Sequence, residues 1–110
     1  MISNFHNITV LGAGKSGVGA AILGIKQNLN VVVYNDSKIK DENIILLNKY
    51  GVKWHIQDYT SSDTLDNDLL VISPGILDNH PVILHFEEKS RPVISEIEFA
   101  SYFCDAKKIC

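Results

Sequence analysis

Residues 12–17 read GAGKSG and separate two segments of different periodicity. The preceding run, NITVLGA (7–13), is apolar and β-branched, which predicts a buried strand. The following residues, 15–28, carry apolar side chains at helical spacing and several small residues, which predicts a helix lying close to a sheet. A strand, a glycine-rich turn and a helix in this order favour a fold in which helices cover a parallel sheet.

The same alternation continues along the rest of the chain. It predicts a Rossmann-like α/β fold with a sheet of about five mostly parallel strands and helices on both faces. Asn79 is predicted to cap the helix that Pro81 opens, because asparagine favours the N-cap and proline the first turn. The further predicted strands are 30–36, 52–56, 69–73 and 91–95, the helices are 41–51, 81–90 and 96–103, and a polar loop with a short helical turn covers 57–68.

Composition and charge limit the possible partners. The 110 residues are 45% hydrophobic and 21% charged, as in an ordinary single globular domain, and the net charge is −3. We therefore expect neither nucleic-acid nor membrane binding. The opening MISNFHN lacks the layout of a signal peptide, so a cytoplasmic protein is expected. Cys104 and Cys110 are expected to be reduced thiols, and the four histidines lack the spacing of metal ligands.

The glycines at 12, 14 and 17 fit the pattern G-x-G-x-x-G. Gly12 permits a sharp turn, Gly14 permits close approach of a phosphate, and Gly17 permits the helix to pack on the strand. The backbone N–H groups near Lys15 and Ser16 then face an anion at the positive end of the helix dipole. The motif therefore predicts a site for a phosphate-bearing ligand.

Asp36 supports this interpretation, because it lies 19 residues after Gly17, at the end of the second predicted strand. It is either a ligand of a ribose or a turn residue, and Lys15 and Lys38 are either ligand contacts or solvated side chains. The segment SPGI (73–76) follows the fourth strand, where open α/β sheets bind ligands, although it could also be an ordinary turn. The residues alone predict nucleotide or dinucleotide binding.

Catalytic residues are not expected in this chain. The sequence contains no G-x-x-x-x-G-K-[ST] motif and no evident pairing of a nucleophile with a base. Glu96 and Glu98 are two residues apart, so on a helix they point in different directions. The sequence therefore predicts a binding domain without catalytic residues and without a metal site.

Several segments together resemble the N-terminal domain of the Mur ligases. They are VLGAGKSGVGAA, VYNDSK, LLVISPGI with HP a few residues later, and PVISEIEF, and they cover nearly the whole chain. The combination is specific, although no single segment is. Within the family, SPGI followed by HP, together with SEIEF, is most similar to the branch that adds D-glutamate.

The resemblance implies that the domain binds the UDP part of UDP-N-acetylmuramoyl-L-alanine. The backbone at Lys15 and Ser16 would hold the diphosphate. The segment 36–38 would lie by the uracil and ribose, and Gly75 would line the same cleft. The implied UDP-binding residues are Gly14, Lys15, Ser16, Gly17, Asp36, Ser37, Lys38, Ser73, Pro74 and Gly75.

The resemblance also implies a longer enzyme. Residues 1–106 would form the N-terminal domain, and 107–110 would begin a central ATP-binding domain that is cut off after its first residues. A central and a C-terminal domain would be its partners. The whole enzyme would use ATP and magnesium to form an acyl-phosphate, which the amine of D-glutamate attacks, and this domain would itself bind no cofactor. The alternatives are an NAD(P)-binding dehydrogenase domain and a non-catalytic nucleotide-sensing regulatory domain.

Overall fold

A computed structural model describes residues 5–103 of the chain. Its strands and helices alternate in the predicted order, and the short helical turn expected within 57–68 is present. Cys104, Cys110 and the predicted domain start at 107–110 lie outside the described residues. The strands are β1 (Asn7–Leu11), β2 (Asn30–Asn35), β3 (Lys53–Ile56), β4 (Leu69–Ile72) and β5 (Val93–Ser95). The helices are α1 (Lys15–Lys26), α2 (Asp41–Lys49), α3 (Ser62–Leu65), α4 (Pro81–Glu88) and α5 (Glu96–Ser101).

The five strands form one sheet in the order β3-β2-β1-β4-β5, and all four neighbouring pairs are parallel. The chain builds outward from the central β1 to β3 and then returns to the other side of β1 for β4 and β5. The direction of winding therefore reverses between β1 and β4. In open α/β sheets, ligands bind outside the carboxyl ends of the strands at such a reversal.

Helices cover both faces of the sheet, as predicted. On one face α1 packs between α2 and α5, and on the other α3 packs against α4. Each face has its own apolar cluster: Phe99 and Leu47 belong to the first, and Phe86 and Tyr34 to the second. All four side chains are almost completely buried. The chain thus forms the two-sided Rossmann-like arrangement that its apolar strands favour.

Helix α1 lies close to the sheet because it carries small residues. A Cβ atom at Gly24 would lie 2.8 Å from Cγ2 of Val31 on β2, closer than side-chain packing allows. Ala21 is completely buried in the same contact layer. The small side chains that the sequence places on this helix therefore set its distance from the strands.

The predicted N-cap of α4 was wrong, and several predicted elements are one or two residues longer than the observed ones. His80, not Asn79, is the N-cap of α4, and its side chain accepts a hydrogen bond from the backbone N–H of Val82. The fifth strand is shorter than the predicted 91–95, because the turn that ends α4 extends into that segment. In this turn Ser90 has a φ of 57°, and the N–H of Arg91 donates to the carbonyl oxygen of Phe86.

The helices were compared with the length and hydropathy of membrane-spanning segments. Within residues 5–103, no helix combines the length and the apolar character that crossing a bilayer requires.

Candidate functional site

The glycine loop between β1 and α1 is a tight turn that only glycine fits at two positions. Gly12 has a φ of 109°, and a Cβ there would lie 2.5 Å from Oγ of Ser73. A Cβ at Gly17 would lie 2.0 Å from the carbonyl oxygen of Gly12, so the first turn of the helix packs directly on the loop. The sharp turn predicted at Gly12 is therefore confirmed, whereas Gly17 permits close packing of the helix on the loop after β1, not on the strand itself.

The amino end of α1 is open to ligand. Gly14 is its N-cap, with extended backbone at φ −75° and ψ −174°. A Cβ at Gly14 would meet no atom within 4 Å. Among the described residues, no side chain caps this helix, and its first turn holds no acidic residue. The backbone N–H groups of Lys15, Ser16 and Gly17 lack partners within the helix and are available to an anion.

Two asparagines hold the loop in this conformation. Oδ1 of Asn35 accepts a hydrogen bond of 3.0 Å from the N–H of Ala13, and Nδ2 of Asn43 donates to the carbonyl oxygen of Ala13 at 3.2 Å. Asn35 also donates to the carbonyl oxygen of Ser37 at 2.8 Å, so the same side chain contacts both the glycine loop and the segment that follows β2. Sequence analysis missed both asparagines. Asn43 is only 8% exposed on α2, and this burial, which requires a hydrogen-bond partner for its amide, is visible only in the folded structure.

A cavity of about 460 Å³ opens beside the loop, and we call it the glycine-loop cavity. The structure brings three predicted site residues together here, namely Gly14, Lys15 and Lys38. Both lysine side chains are exposed, so they place positive charge next to the open helix end. Asn35 and Asn43 also line this cavity, together with Ala13, Ile39, Lys40, Glu42 and Leu46.

A second cavity, also of about 460 Å³, lies at the same edge of the sheet, and we call it the Asp36 cavity. It contains two further predicted site residues, Asp36 and Gly75. Gly75 has a φ of 90°, which allows the loop after β4 to bend beside the cavity. The remaining lining residues are Ile76, Leu77, Asn79, His80 and Pro81. Asn35 and Asp36 are adjacent in the chain and line one cavity each.

Asp36 is paired with His80 across the second cavity. Nε2 of His80 lies 2.9 and 3.0 Å from the two carboxylate oxygens. Burial, followed by the negative charge of Asp36, raises the pKa of the neighbouring Tyr34 to about 12. Sequence analysis considered the histidines only as possible metal ligands and missed this contact. Its position in the segment HP, directly before α4, was the available signal.

Ser73 has a different environment from the other predicted site residues. Its hydroxyl donates a hydrogen bond of 2.7 Å to Oε2 of Glu96, which is only 7% exposed. Because a serine hydroxyl has a single proton, Ser73 can offer a ligand only its lone pairs while this bond is formed. Glu98 is exposed, so the two glutamates do point in different directions, as predicted.

The remaining predicted residues are exposed. Ser37 and Pro74 lie at the carboxyl edge with exposed side chains, after β2 and β4 respectively. Within residues 5–103, no group of three or more histidine, cysteine, aspartate or glutamate side chains could hold a metal ion.

These features define the class of the protein. It is a Rossmann-like α/β domain with a glycine-rich loop and an open helix end at the point where the strand order reverses. The family described as Mur ligase MurD-like, N-terminal domain, matches residues 6–95, and the chain belongs to this family. The assignment favours the Mur ligase interpretation over the dehydrogenase and regulatory-domain alternatives.

Two relatives carry the name UDP-N-acetylmuramoylalanine–D-glutamate ligase. The protein from Bacteroides fragilis is 45% identical over 103 residues, which cover 94% of this chain and 23% of that protein. The protein from Christiangramia forsetii is 40% identical over 102 residues, which cover 93% of this chain and 23% of the relative. The chain thus spans about a quarter of the length of these relatives.

A solved structure supports the fold. The murein peptide ligase from Psychrobacter arcticus superimposes with a TM-score of 0.77, covering 89% of this chain and 20% of that protein. Its sequence identity is 21%, so this comparison concerns the fold alone.

Proposed function

We propose that this domain binds the UDP part of UDP-N-acetylmuramoyl-L-alanine, as the N-terminal domain of an ATP-dependent ligase that adds D-glutamate. The observation that carries the proposal is the open amino end of α1 beside the glycine-loop cavity, where Lys15 and Lys38 supply positive charge. Backbone N–H groups at a helix start, next to lysine side chains, suit a diphosphate. The name shared by the two relatives supplies the identity of the sugar-linked nucleotide.

The two cavities suggest where the separate parts of the ligand bind. The diphosphate would lie over Gly14 and the first turn of α1. The uracil and ribose would lie toward Asp36, whose side chain is 59% exposed and can accept hydrogen bonds from N–H or hydroxyl groups. Ser37 and Lys38 continue from Asp36 along the same edge, and Gly75 lines the Asp36 cavity.

The ligase reaction would require ATP and magnesium, and the residues present do not fit them. The sequence contains no G-x-x-x-x-G-K-[ST] loop to hold a triphosphate. Residues 5–103 also offer no group of three or more histidine, cysteine, aspartate or glutamate side chains that could hold a metal ion. We therefore assign to this chain the binding of the substrate's UDP part, and the chemistry to the remainder of the enzyme. A cytoplasmic location accompanies this proposal, because ATP is available there.

Calorimetric titration of the 110-residue chain with UDP, NAD and ATP tests the proposal. We expect UDP to bind, although weakly, because the sugar-peptide part of the substrate would need the other domains. NMR shift mapping with UDP should then move signals of residues 12–17, 36–38 and 73–76. Binding of NAD without binding of UDP would contradict the proposal and favour a dinucleotide-binding domain. Shifts confined to another surface would contradict the assigned site.

A further inference from the structure

His80 makes two hydrogen bonds that together define the state of its ring. Nδ1 accepts a hydrogen bond of 3.1 Å from the backbone N–H of Val82. Since an amide N–H can only donate, Nδ1 carries no proton. The proton of the neutral ring is therefore on Nε2, which faces both carboxylate oxygens of Asp36 at 2.9 and 3.0 Å. One neutral imidazole thus caps α4 and donates to Asp36 at the same time.

The side chains of His80 and Asp36 differ in how tightly their surroundings hold them. The side chain of His80 is 10% exposed, whereas that of Asp36 is 59% exposed. The imidazole also packs edge-on against Tyr34, with the ring centroids 6.2 Å apart. The histidine is therefore held by its surroundings, and the carboxylate is held by the histidine. Because a carboxylate has about four acceptor positions, Asp36 keeps acceptors for a ligand after taking the Nε2–H.

The pair also joins distant parts of the sheet edge. Asp36 follows β2 and His80 precedes α4, and β1 lies between β2 and β4 in the sheet. The contact therefore carries the loop 73–80 across the carboxyl end of β1. Both residues of the pair line the Asp36 cavity, so the contact helps to form its wall.

We propose that His80 is a positioning residue for nucleotide binding. Its Nε2–H fixes the Asp36 carboxylate where that group accepts a hydrogen bond from the ring N–H or ribose hydroxyls of a uridine nucleotide. This inference rests on the proposed function, because it concerns how the same site recognises the nucleoside. His80 itself acts through Asp36 and needs no contact with the ligand.

Two substitutions separate the two hydrogen bonds of the ring. His80→Asn keeps a good N-cap acceptor but is too short to reach Asp36. His80→Gln carries an amide N–H near the position of Nε2 and is a poorer cap. We expect H80N to keep its melting temperature and to bind UDP about tenfold more weakly. H80Q should lose some stability and retain most of the UDP affinity.

A double-substitution cycle with Asp36→Ala tests whether His80 acts through Asp36. In the D36A background, H80N should cause no further loss of UDP affinity. Long-range ¹⁵N NMR of the ligand-free chain should find the Nε2–H tautomer of His80. The Nδ1–H tautomer, additive losses in the cycle, or unchanged UDP binding by H80N would each overturn the positioning role. Absence of UDP binding by the unsubstituted chain is a distinct result, because it overturns the proposed function itself.

Discussion

The hydroxyl of Ser73 donates its proton to the buried carboxylate of Glu96, with 2.7 Å between Oγ and Oε2. The bond joins the end of β4 to the first residue of α5, beneath the glycine loop. It also orients the same hydroxyl that would touch a Cβ at Gly12. Ser73 therefore contacts both the glycine loop and α5, and it links these two elements at the carboxyl edge of the sheet.

Removing the acceptor of this bond should destabilise the domain. In Glu96→Ala the Ser73 hydroxyl loses its acceptor in a poorly solvated place, at a cost of about 1–3 kcal/mol. Urea unfolding measures the change. Glu98→Ala is the matched control, since Glu98 lies two residues further on the same helix and is exposed. Its effect should be about 0.5 kcal/mol or less. Equal effects of the two substitutions would show that the Ser73 contact contributes no specific stability.

Gly17→Ala should strongly disturb the loop. The added Cβ would lie 2.0 Å from the carbonyl oxygen of Gly12, a backbone atom that cannot move without opening the turn. We expect a loss of at least about 2 kcal/mol in the free energy of unfolding. Gly19→Ala serves as control, because a Cβ there meets nothing within 4 Å. Alanine at that helical position should stabilise the domain by about 0.5–1 kcal/mol. A folded, fully stable G17A variant contradicts the described packing.

Gly14→Val should separate binding from folding. The new side chain points into open space, so the domain should still fold, with a loss of about 1 kcal/mol from the poorer N-cap. It would occupy the approach to the N–H groups of the first turn, so UDP binding should be abolished. Calorimetry measures the binding and thermal unfolding measures the stability. Gly19→Val, on the same helix but away from the cavity, should bind UDP normally. Retained UDP affinity in G14V would be incompatible with a diphosphate at this helix end.

Asp68 should contribute to stability in a pH-dependent way. The backbone N–H groups of His6 and Asn7 each donate to its Oδ2 at 3.1 Å. The hydrogen bond from His6 is the largest cause that lowers the pKa of Asp68 below its ordinary value of 3.8, and burial opposes it. A lowered folded-state pKa means that the stabilisation is present above about pH 3.8 and is lost as the pH falls through the folded-state value.

Asp68→Asn should therefore reduce stability at pH 7 and weaken the dependence of stability on pH below about 4. Denaturant unfolding at a series of pH values measures both effects. Asp66→Asn is the control, because Asp66 is exposed. D68N and the unsubstituted chain could instead lose the same free energy of unfolding as the pH falls. In that case the hydrogen bonds that Asp68 accepts from His6 and Asn7 do not contribute to the pH dependence of stability.

Much of the fold could be predicted from local sequence patterns. The apolar run at 7–13 and the helical spacing after residue 15 define β1 and α1 within two residues at each end. Strand and helix periods are properties of neighbouring residues, so they are visible without the folded chain. The sharp turn at Gly12 also follows from local backbone geometry. The assignment of the site residues to UDP remains a prediction.

The contacts that complete the site could not be predicted in this way. Asp36 and His80 are 44 residues apart, Ser73 and Glu96 are 23 apart, and Asn35 is 22 residues from the loop that it holds. Spacing and residue type single out some of these residues, such as Asp36, but they do not show which residue each one contacts. The N-cap of α4 was assigned to Asn79 instead of His80 for the same reason.

The sequence by itself determined the alternating elements, the parallel sheet and the glycine turn, because these depend on side-chain period and on backbone freedom within a few residues. The tertiary structure alone decided the strand order β3-β2-β1-β4-β5, which brings the ends of β2 and β4 to either side of β1. That order places Asp36 opposite His80 and brings the glycine-loop cavity and the Asp36 cavity to the same edge of the sheet. Side-chain partners of this kind are selected by the packing of whole strands and helices, and only the folded chain determines which of them meet.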